Sequence, residues 1–516
     1  MKKIKHKEKR RIFSVLFFNT AILIFLSFFG NSLEAQETQD IFIPRLLSQG
    51  SPEKGVNVRT LDIDECIRYA VYNSFEVKLA KLDFLIAETD IMYSEAVFDA
   101  FIYAGMSYEE DKRQQLSVFS GDDAQTNEYY AKIEKTLVTG TELMLEGRDK
   151  RSWAETTFVA KNPAHETDLR LEVTQPVGKN TFGYADRLDI SMTKLIVKNA
   201  DMDTRDRIEA FIADVQKLYW DLVFTKRSWH IYSGMLERAV KLYESDKKNY
   251  DMGLIEKVDL LASEANIEKI KGDLILAENS YRRAQKDLKL AMNMDDDVDI
   301  SAAGDLSYGR FEQKLEDCFK QAFSERMDYK IKRRDVEIKG LDLKIKNSNT
   351  WPEIDLNATL EMNGVEGTLG ESVNNTIMRD NMYYYAGVEV KVPIENREAK
   401  SEYIAARHEK EKALVSLKNI ERTIIAEVGN AFRDVRAFYS GLTFLKKAVE
   451  LQANKFSEEE KRFEYGRSST KRIIDYQQDL LRAELEEAAV QLKYKKAIVD
   501  LNRVMNTILS EYEELL

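Results

Sequence analysis

Few residues in this chain of 516 have the type and spacing for covalent or metal chemistry. His6, His165, His230 and His408 lie far apart, so no two stand at the short spacing that puts metal ligands on one helix face. Two cysteines, Cys66 and Cys318, are too few for a disulfide scaffold or a Cys-rich zinc site. No Ser/His/Asp or Cys/His set and no glycine-rich phosphate loop stands out, which argues against an enzyme and against a bound cofactor or metal. Charges also stand beside two glycines. In DMGLIEKVDLL, Asp259 follows Gly253; in EYGRSSTKRIIDYQQDLL, Arg472 and Asp475 follow Gly466 at a spacing of three that lets them pair on one helix face. The bland role for such charges is a solvated helix surface. Any other role depends on where the surrounding elements carry them.

Both glycines belong to an internal repeat. NYDMGLIEKVDLLASEANIEK lies on RFEYGRSSTKRIIDYQQDLLR at a shift of 213, with Gly253 on Gly466, Leu260 and Leu261 on Ile473 and Ile474, Tyr281 on Tyr494, and Met292-Asn293 on Met505-Asn506. Nearer the front of each half, DECIRYAVYNSFEVKLAKLDFLIAE matches EDCFKQAFSERMDYKIKRRDVEIKG at a shift of 252, placing Cys66 on Cys318. The shifts differ by 39 residues, so the first copy holds an insertion of that size between the two anchors. The expected organisation is a first repeat over 61–299, with an extra hairpin near 126–148, a linker over 300–310, and a second repeat over 311–516.

The length would accommodate three or four ordinary domains, yet the proline pattern favours one elongated unit. Only six prolines occur, and none lies in 177–351 or 394–516, where a proline inside a helix would cost roughly 3 kcal/mol. Ile208, Phe211, Ile212, Val215, Leu218, Tyr219 and Leu222 recur at three- and four-residue steps, an amphipathic helix pattern. A helix from Gly183 to Asn249 would be about 100 Å long at 1.5 Å per residue. Two shorter helical tracts in each half together match the length of that half's long one. End-to-end stacking against it would give a paired rod.

MKKIKHKEKRR holds seven Lys/Arg and is followed by IFSVLFFNTAILIFLSFFG and NSLEA, the layout of a secretory signal over 1–35, cut after Ala35 or retained as an anchor. A linker over 36–60 follows. Against those seven bases stand Glu8 and Glu34, so the chain beyond Ala35 carries −17 where the whole carries −12, which argues against nucleic acid as a partner. No later segment has 18 apolar residues in a row, so any further membrane passage falls to strands.

Strand patterns lie between the helical tracts. In EIDLNATLEMN, Ile354, Leu356, Ala358, Leu360 and Met362 oppose six polar residues, and YYAGVEVKV alternates in the same way. Leu169, Leu171 and Val173 alternate with Arg170, Glu172 and Thr174, and 98–108 is rich in aromatics. Segments of 9–11 residues with one apolar and one polar face suit a transmembrane β-barrel. Four such strands cannot enclose an aqueous pore, so several chains must share one barrel.

The duplicated plan, the openings LDIDECIRYAVYNS and KLEDCFKQAFSER, the junctions VTQPVGKN and EVKVPIENREAK and the two glycine turns together resemble the TolC-like outer-membrane efflux family over roughly 61–509. The resemblance implies a fold that is mainly α with a β-barrel contribution: duplicated long-helix hairpins forming a trimeric periplasmic α-barrel, and four strands per chain in a shared twelve-stranded barrel. It implies a homotrimer in the outer membrane of a Gram-negative-type cell. The expected partners are outer-membrane lipid, a periplasmic adaptor and an inner-membrane transporter, and the expected function is a passive exit duct for efflux or type I secretion. The competing reading is a periplasmic coiled-coil adaptor or scaffold.

The same resemblance puts a gate beside the helix turns and adaptor docking on the turns themselves. Asp259 matches a gate acid, but its expected tyrosine partner is replaced by Phe463, which cannot hydrogen-bond. Asp475 matches an acid that can ring the constriction and select cations, and Arg472 stands where the family can carry a second acid, so Arg472–Asp475 pairs could hold the ring shut. The docking tips would be Met252, Gly253 and Leu254, and Tyr465, Gly466 and Arg467. The inserted residues, with Glu128–Leu137 and Thr141–Arg148 as two more strands, are expected to extend the extracellular end or cover the mouth; the alternative is a larger barrel.

Overall fold

The computed structural model describes residues 58–113, 123–156, 159–295, 297–378 and 381–512. The expected signal at 1–35, most of the linker at 36–60 and the last four residues of the second repeat lie outside them.

The first half runs β1 (Val58–Leu61), α1 (Ile63–Asn73), α2 (Phe75–Glu95), β2 (Ala100–Asp111), β3 (Ala124–Thr136), β4 (Glu142–Ala154), β5 (Ala164–Pro176), α3 (Tyr184–Asp251) and α4 (Lys257–Met292). The second runs β6 (Asp299–Ala302), α5 (Leu315–Glu325), α6 (Met327–Ser348), β7 (Glu353–Glu366), α7 (Leu369–Ile377), β8 (Met382–Lys391), α8 (Arg397–Glu464) and α9 (Thr470–Met505). Both long helices, α3 and α8, have 68 residues.

Local chemistry sets the ends of these helices twice over. Asn180 and Asn396 take left-handed backbone just before the long helices, and Asn293 and Asn506 take it just after α4 and α9. Asparagine tolerates that region better than most residues. The Asn180 carboxamide oxygen also accepts from the Ala185 amide at 2.8 Å, holding the first turn of α3.

Helix α3 packs against α2 and α4, and α8 against α6 and α9, so two shorter helices cover one long helix in each half. Helix α3 also packs on α6 and α9 and joins the halves. Arg503 forks onto Asp206 at 2.9 and 3.0 Å, and Lys496 pairs with Asp221 at 2.7 Å across that seam. The apolar core is correspondingly divided. Ile67, Ile212, Tyr219, Leu222, Leu288 and Met292 fill one cluster, while Ile424, Val428, Leu442, Tyr494, Leu501 and Met505 fill its counterpart. Cys66 and Cys318 sit buried and unbonded in separate clusters, and burial pushes the Cys66 thiol up to about 12.

Residues 300–310, expected as plain linker, begin inside β6, which pairs in parallel with β1. Four-residue strands are too short to show an alternation in sequence. Side chains from the helices hold this pair in place: Lys226 donates to Ser301 Oγ at 2.8 Å and to the Ala302 carbonyl at 3.0 Å.

The other six strands form one antiparallel sheet in the order β2-β3-β4-β5-β7-β8. The inserted hairpin therefore lies inside the sheet and not as a long loop beyond its end. Its strands, β3 and β4, are paired on both sides within the sheet, and its turn points toward the helices. There Arg187 Nη1 donates to the Val138 carbonyl at 2.9 Å and Gln175 Nε2 to the Thr139 carbonyl at 3.1 Å. The expectation failed because an insertion suggests a longer loop, whereas these residues are long enough to cross the sheet twice.

Candidate channel wall and periplasmic gate

Strand alternation gives the sheet two unlike faces. Along one row across all six strands stand Tyr384, Leu360, Leu171, Leu145, Ile133 and Ile102. On the opposite face the adjacent row reads Tyr383, Glu361, Arg170, Glu146, Lys132 and Tyr103. The apolar side chains of β7 from Ile354 to Met362 span roughly 21 Å once the strand is tilted, close to the ~25 Å apolar band of outer-membrane barrels.

Charges on the polar face compensate one another across strands. Arg148 on β4 bonds Asp168 on β5 at 3.0 Å and faces Glu128 on β3 at 3.8 Å. Lys132 pairs with Glu134 at 2.7 Å and lies 4.4 Å from the centre of the Tyr103 ring. Such a face suits water, and the other suits lipid. Helix α7 lies on the apolar side at the sheet end remote from the long helices. Its Ser372 and Thr376 hydroxyls meet Thr167 at 2.9 and 2.7 Å, leaving Leu369, Val373 and Ile377 outward.

At the far ends of the long helices the repeat returns in the same geometry. The Leu254 amide donates to the Asn249 carbonyl at 2.8 Å and Gly253 to Tyr250 at 2.8 Å; Arg467 and Gly466 repeat this on Arg462 and Phe463 at 2.8 and 2.9 Å. This bond pair needs a left-handed residue, supplied by Gly253 and Gly466 at φ of 73° and 66°. Met252 (64% exposed), Leu254 (69%) and Tyr465 (78%) are thereby displayed to solvent at the two tips.

The predicted gate residues come out differently from one another. Phe463 turns into an apolar cluster with Leu242, Phe456, Ile473 and Leu480, where it packs instead of bonding Asp259. Arg472 does not pair with Asp475, as its spacing had suggested. Its guanidinium lies 3.5 Å from Glu459 on α8, and Asp475 is exposed without an ion pair among the described residues. Glu459 competes successfully because it is already fixed: Ser468 Oγ donates to it at 2.7 Å and Arg462 lies 3.6 Å away. The Ser468 hydroxyl first, and the Arg472 charge after it, hold the Glu459 carboxyl below the ordinary glutamate range.

Sequence reasoning missed the buried acids of this region. Asp246 is fully buried, and Glu459 is 4% exposed. Each stands seven residues before its turn glycine, so the 213-residue shift superposes them; that shared position was the available signal. Asp246 accepts from the Thr470 hydroxyl at 2.9 Å, a bond from α9 to α3. Burial pushes the Asp246 carboxyl above its usual value, the Thr470 bond offsets part of this, and the charge of nearby Asp259 adds to it. Asp259 is thus placed beside a buried acid, within electrostatic reach of the α3–α9 contact.

Residues 341–507, from α6 through α9, match the outer membrane efflux protein family. The chain thus carries an outer membrane efflux protein domain over about a third of its length. Its fold is similar to that of CusC (TM-score 0.65, 11% identity, 88% of this chain and 95% of that one). It is likewise similar to the Campylobacter jejuni CmeC outer membrane channel (0.62, 15%, 92% and 97%) and to the open-state MtrE outer membrane channel of Neisseria gonorrhoeae (0.63, 14%, 89% and 94%). No curated protein sequence matches the chain. The efflux family is one of channel proteins and favours the export duct over the periplasmic adaptor. Members of that family lie in the outer membrane with a large periplasmic part, and the match implies assembly into trimers and tripartite complexes.

Proposed function

We propose that three copies of this efflux protein form a passive duct whose helical part crosses the periplasm, whose sheets close a barrel in the outer membrane, and whose helix tips gate the passage. A periplasmic adaptor would dock at Met252-Gly253-Leu254 and Tyr465-Gly466-Arg467, and an inner-membrane transporter would deliver the cargo. The observation that carries this is continuity: each half passes directly from a strand of the two-faced sheet into a 68-residue helix that ends in an exposed, glycine-turned tip. Asp259, Arg472 and Asp475 are the gate charges in this reading, with Glu459 as the anchor of Arg472 and Phe463 as an apolar brace.

Density separation of cell envelopes tests the location, with recovery in the outer-membrane fraction expected. Export assays on a Gly253→Phe, Gly466→Phe double variant test the docking. Loss of export from a variant that still assembles supports it, and normal export removes the tips from adaptor binding.

A further inference from the structure

We infer that the inserted hairpin is barrel wall, so that each copy contributes six strands and three copies close an eighteen-stranded barrel by pairing β8 of one copy with β2 of the next; this rests on the outer-membrane trimer proposed above.

Three observations point the same way. First, β3 and β4 are interior to the sheet. Each is in register with a neighbour on both sides along nearly its whole length, and without them β2 and β5 would not be joined. Second, their faces are in phase with the rest. Ile133 and Leu145 continue the apolar row of Tyr384, Leu360 and Leu171, while Glu134, Glu146 and Lys132 fall on the charged face. A hairpin lying across an opening would be wet on both sides and would need no such alternation. A one-residue slip would reverse it, so the phase is a strong constraint. Third, the turn of the hairpin ends level with the other strands, tied to the start of α3 through Arg187 on the Val138 carbonyl and to the end of β5 through Gln175 on the Thr139 carbonyl.

Six strands are too few to enclose a pore, since about eight give an interior just wide enough for side chains. The sheet has two free edges, β2 and β8, of 12 and 10 residues. A membrane has no water to satisfy an unpaired edge, which leaves closure onto another strand. A second copy of this chain fits, because both edges carry the same phase: Ile102 and Tyr384 end one apolar row, and Phe101 and Tyr385 end one row on the polar face.

The consequence is geometric. With strands about 4.8 Å apart and tilted about 40°, eighteen strands give a barrel roughly 36 Å across between backbones, against roughly 24 Å for twelve. The added strands bring no added helices, so a wider mouth sits on a helical duct of ordinary make. The exit would then admit bulkier cargo than a twelve-stranded barrel, and any size limit would fall to the helical part.

Electron cryomicroscopy of the full chain purified from outer membranes reads the strand count directly. Eighteen strands with β3 and β4 in the wall are expected; twelve, with the hairpin off the wall, overturn the inference while leaving the duct standing. Cysteine labelling in native membranes checks the same point. Ile133→Cys and Leu145→Cys should react with a membrane-impermeant maleimide more than an order of magnitude slower than Glu134→Cys and Glu146→Cys, with buried Cys66 and Cys318 giving little background. Equal rates at all four positions in an outer-membrane trimer overturn the wall assignment alone. Absence of the protein from the outer membrane overturns both conclusions.

Discussion

Gly140, in the turn of the inserted hairpin, and Gly183, just before the first long helix, face each other so closely that neither could carry a side chain. A Cβ on Gly140 would lie 2.6 Å from the Gly183 nitrogen, and one on Gly183 would lie 2.7 Å from the Gly140 nitrogen. Both have positive φ, 68° and 67°. An alanine there meets a strain of roughly 1–2 kcal/mol from backbone handedness in addition to the clash. Gly140→Ala should therefore loosen the hairpin turn and lower the temperature at which the assembled protein dissociates, read by heating before electrophoresis. An unchanged dissociation temperature would show that the turn is not held by this contact.

The tip should respond to pH through Asp246. Its carboxyl is raised above the ordinary 3.8, so the fold accommodates the neutral form better than the charged one. The contribution of Asp246 to tip stability is then greatest below pH 3.8 and declines as pH climbs from there through the raised native value, with the full penalty present at neutral pH. Asp246→Asn removes that charge. Hydrogen exchange at the end of α3, corrected for its intrinsic pH dependence, should be severalfold slower in the variant than in the parent at pH 7. It should also change less between pH 7 and pH 4. The same pH response in both proteins would assign the effect to another group.

Arg472 and Asp475 should have separable effects on ion selectivity, because they are not paired with each other. Asp475→Asn is expected to lower cation preference in a planar bilayer. Arg472→Ala is expected to raise it, since the cation is lost while buried Glu459 keeps its Ser468 bond. If both variants conduct with the parent's selectivity, these side chains do not line the constriction.

Helix α7 is held to the sheet by hydroxyls. Thr167, Ser372 and Thr376 are all buried and bonded together, and Ser372 Oγ also donates to the Gly364 carbonyl at 2.6 Å. Replacing Ser372 by Ala and Thr376 by Val should leave Thr167 without these side-chain partners, at about 1–3 kcal/mol. Proteolysis within the β7–β8 connection should then become faster while the trimer persists. Parent-like resistance would show that packing alone seats the helix.

The Cys66 thiol, pushed up to about 12 by burial, should resist maleimide at pH 8 in the native protein and react once the chain is unfolded. Rapid native labelling would mean that α1 opens readily from α3.

Much of this protein is determined locally and can be read along the chain. The long helices follow from proline-free tracts and a three-to-four periodicity; their turns follow from glycines and asparagines at repeat-related positions; the two faces of β7 and β8 follow from strict alternation. These are properties of consecutive residues. What only the tertiary structure decided involves residues far apart in sequence. The strands β1 and β6 carry too little pattern to be seen, and they form because each finds the other beneath α3. The insertion was visible as 39 additional residues, but whether it lay inside the sheet or beyond it depended on which strand edges were free to pair with it. Arg472 could reach Asp475 at a spacing of three, yet Glu459 on another helix was already buried and fixed by Ser468, so the longer-range partner won. Nothing next to Asp246 in the sequence marks it as buried; its burial comes from α9, which brings Thr470 against it. In each case the sequence supplies the groups, and the choice of partner falls to whichever contact is buried and preorganised by the fold.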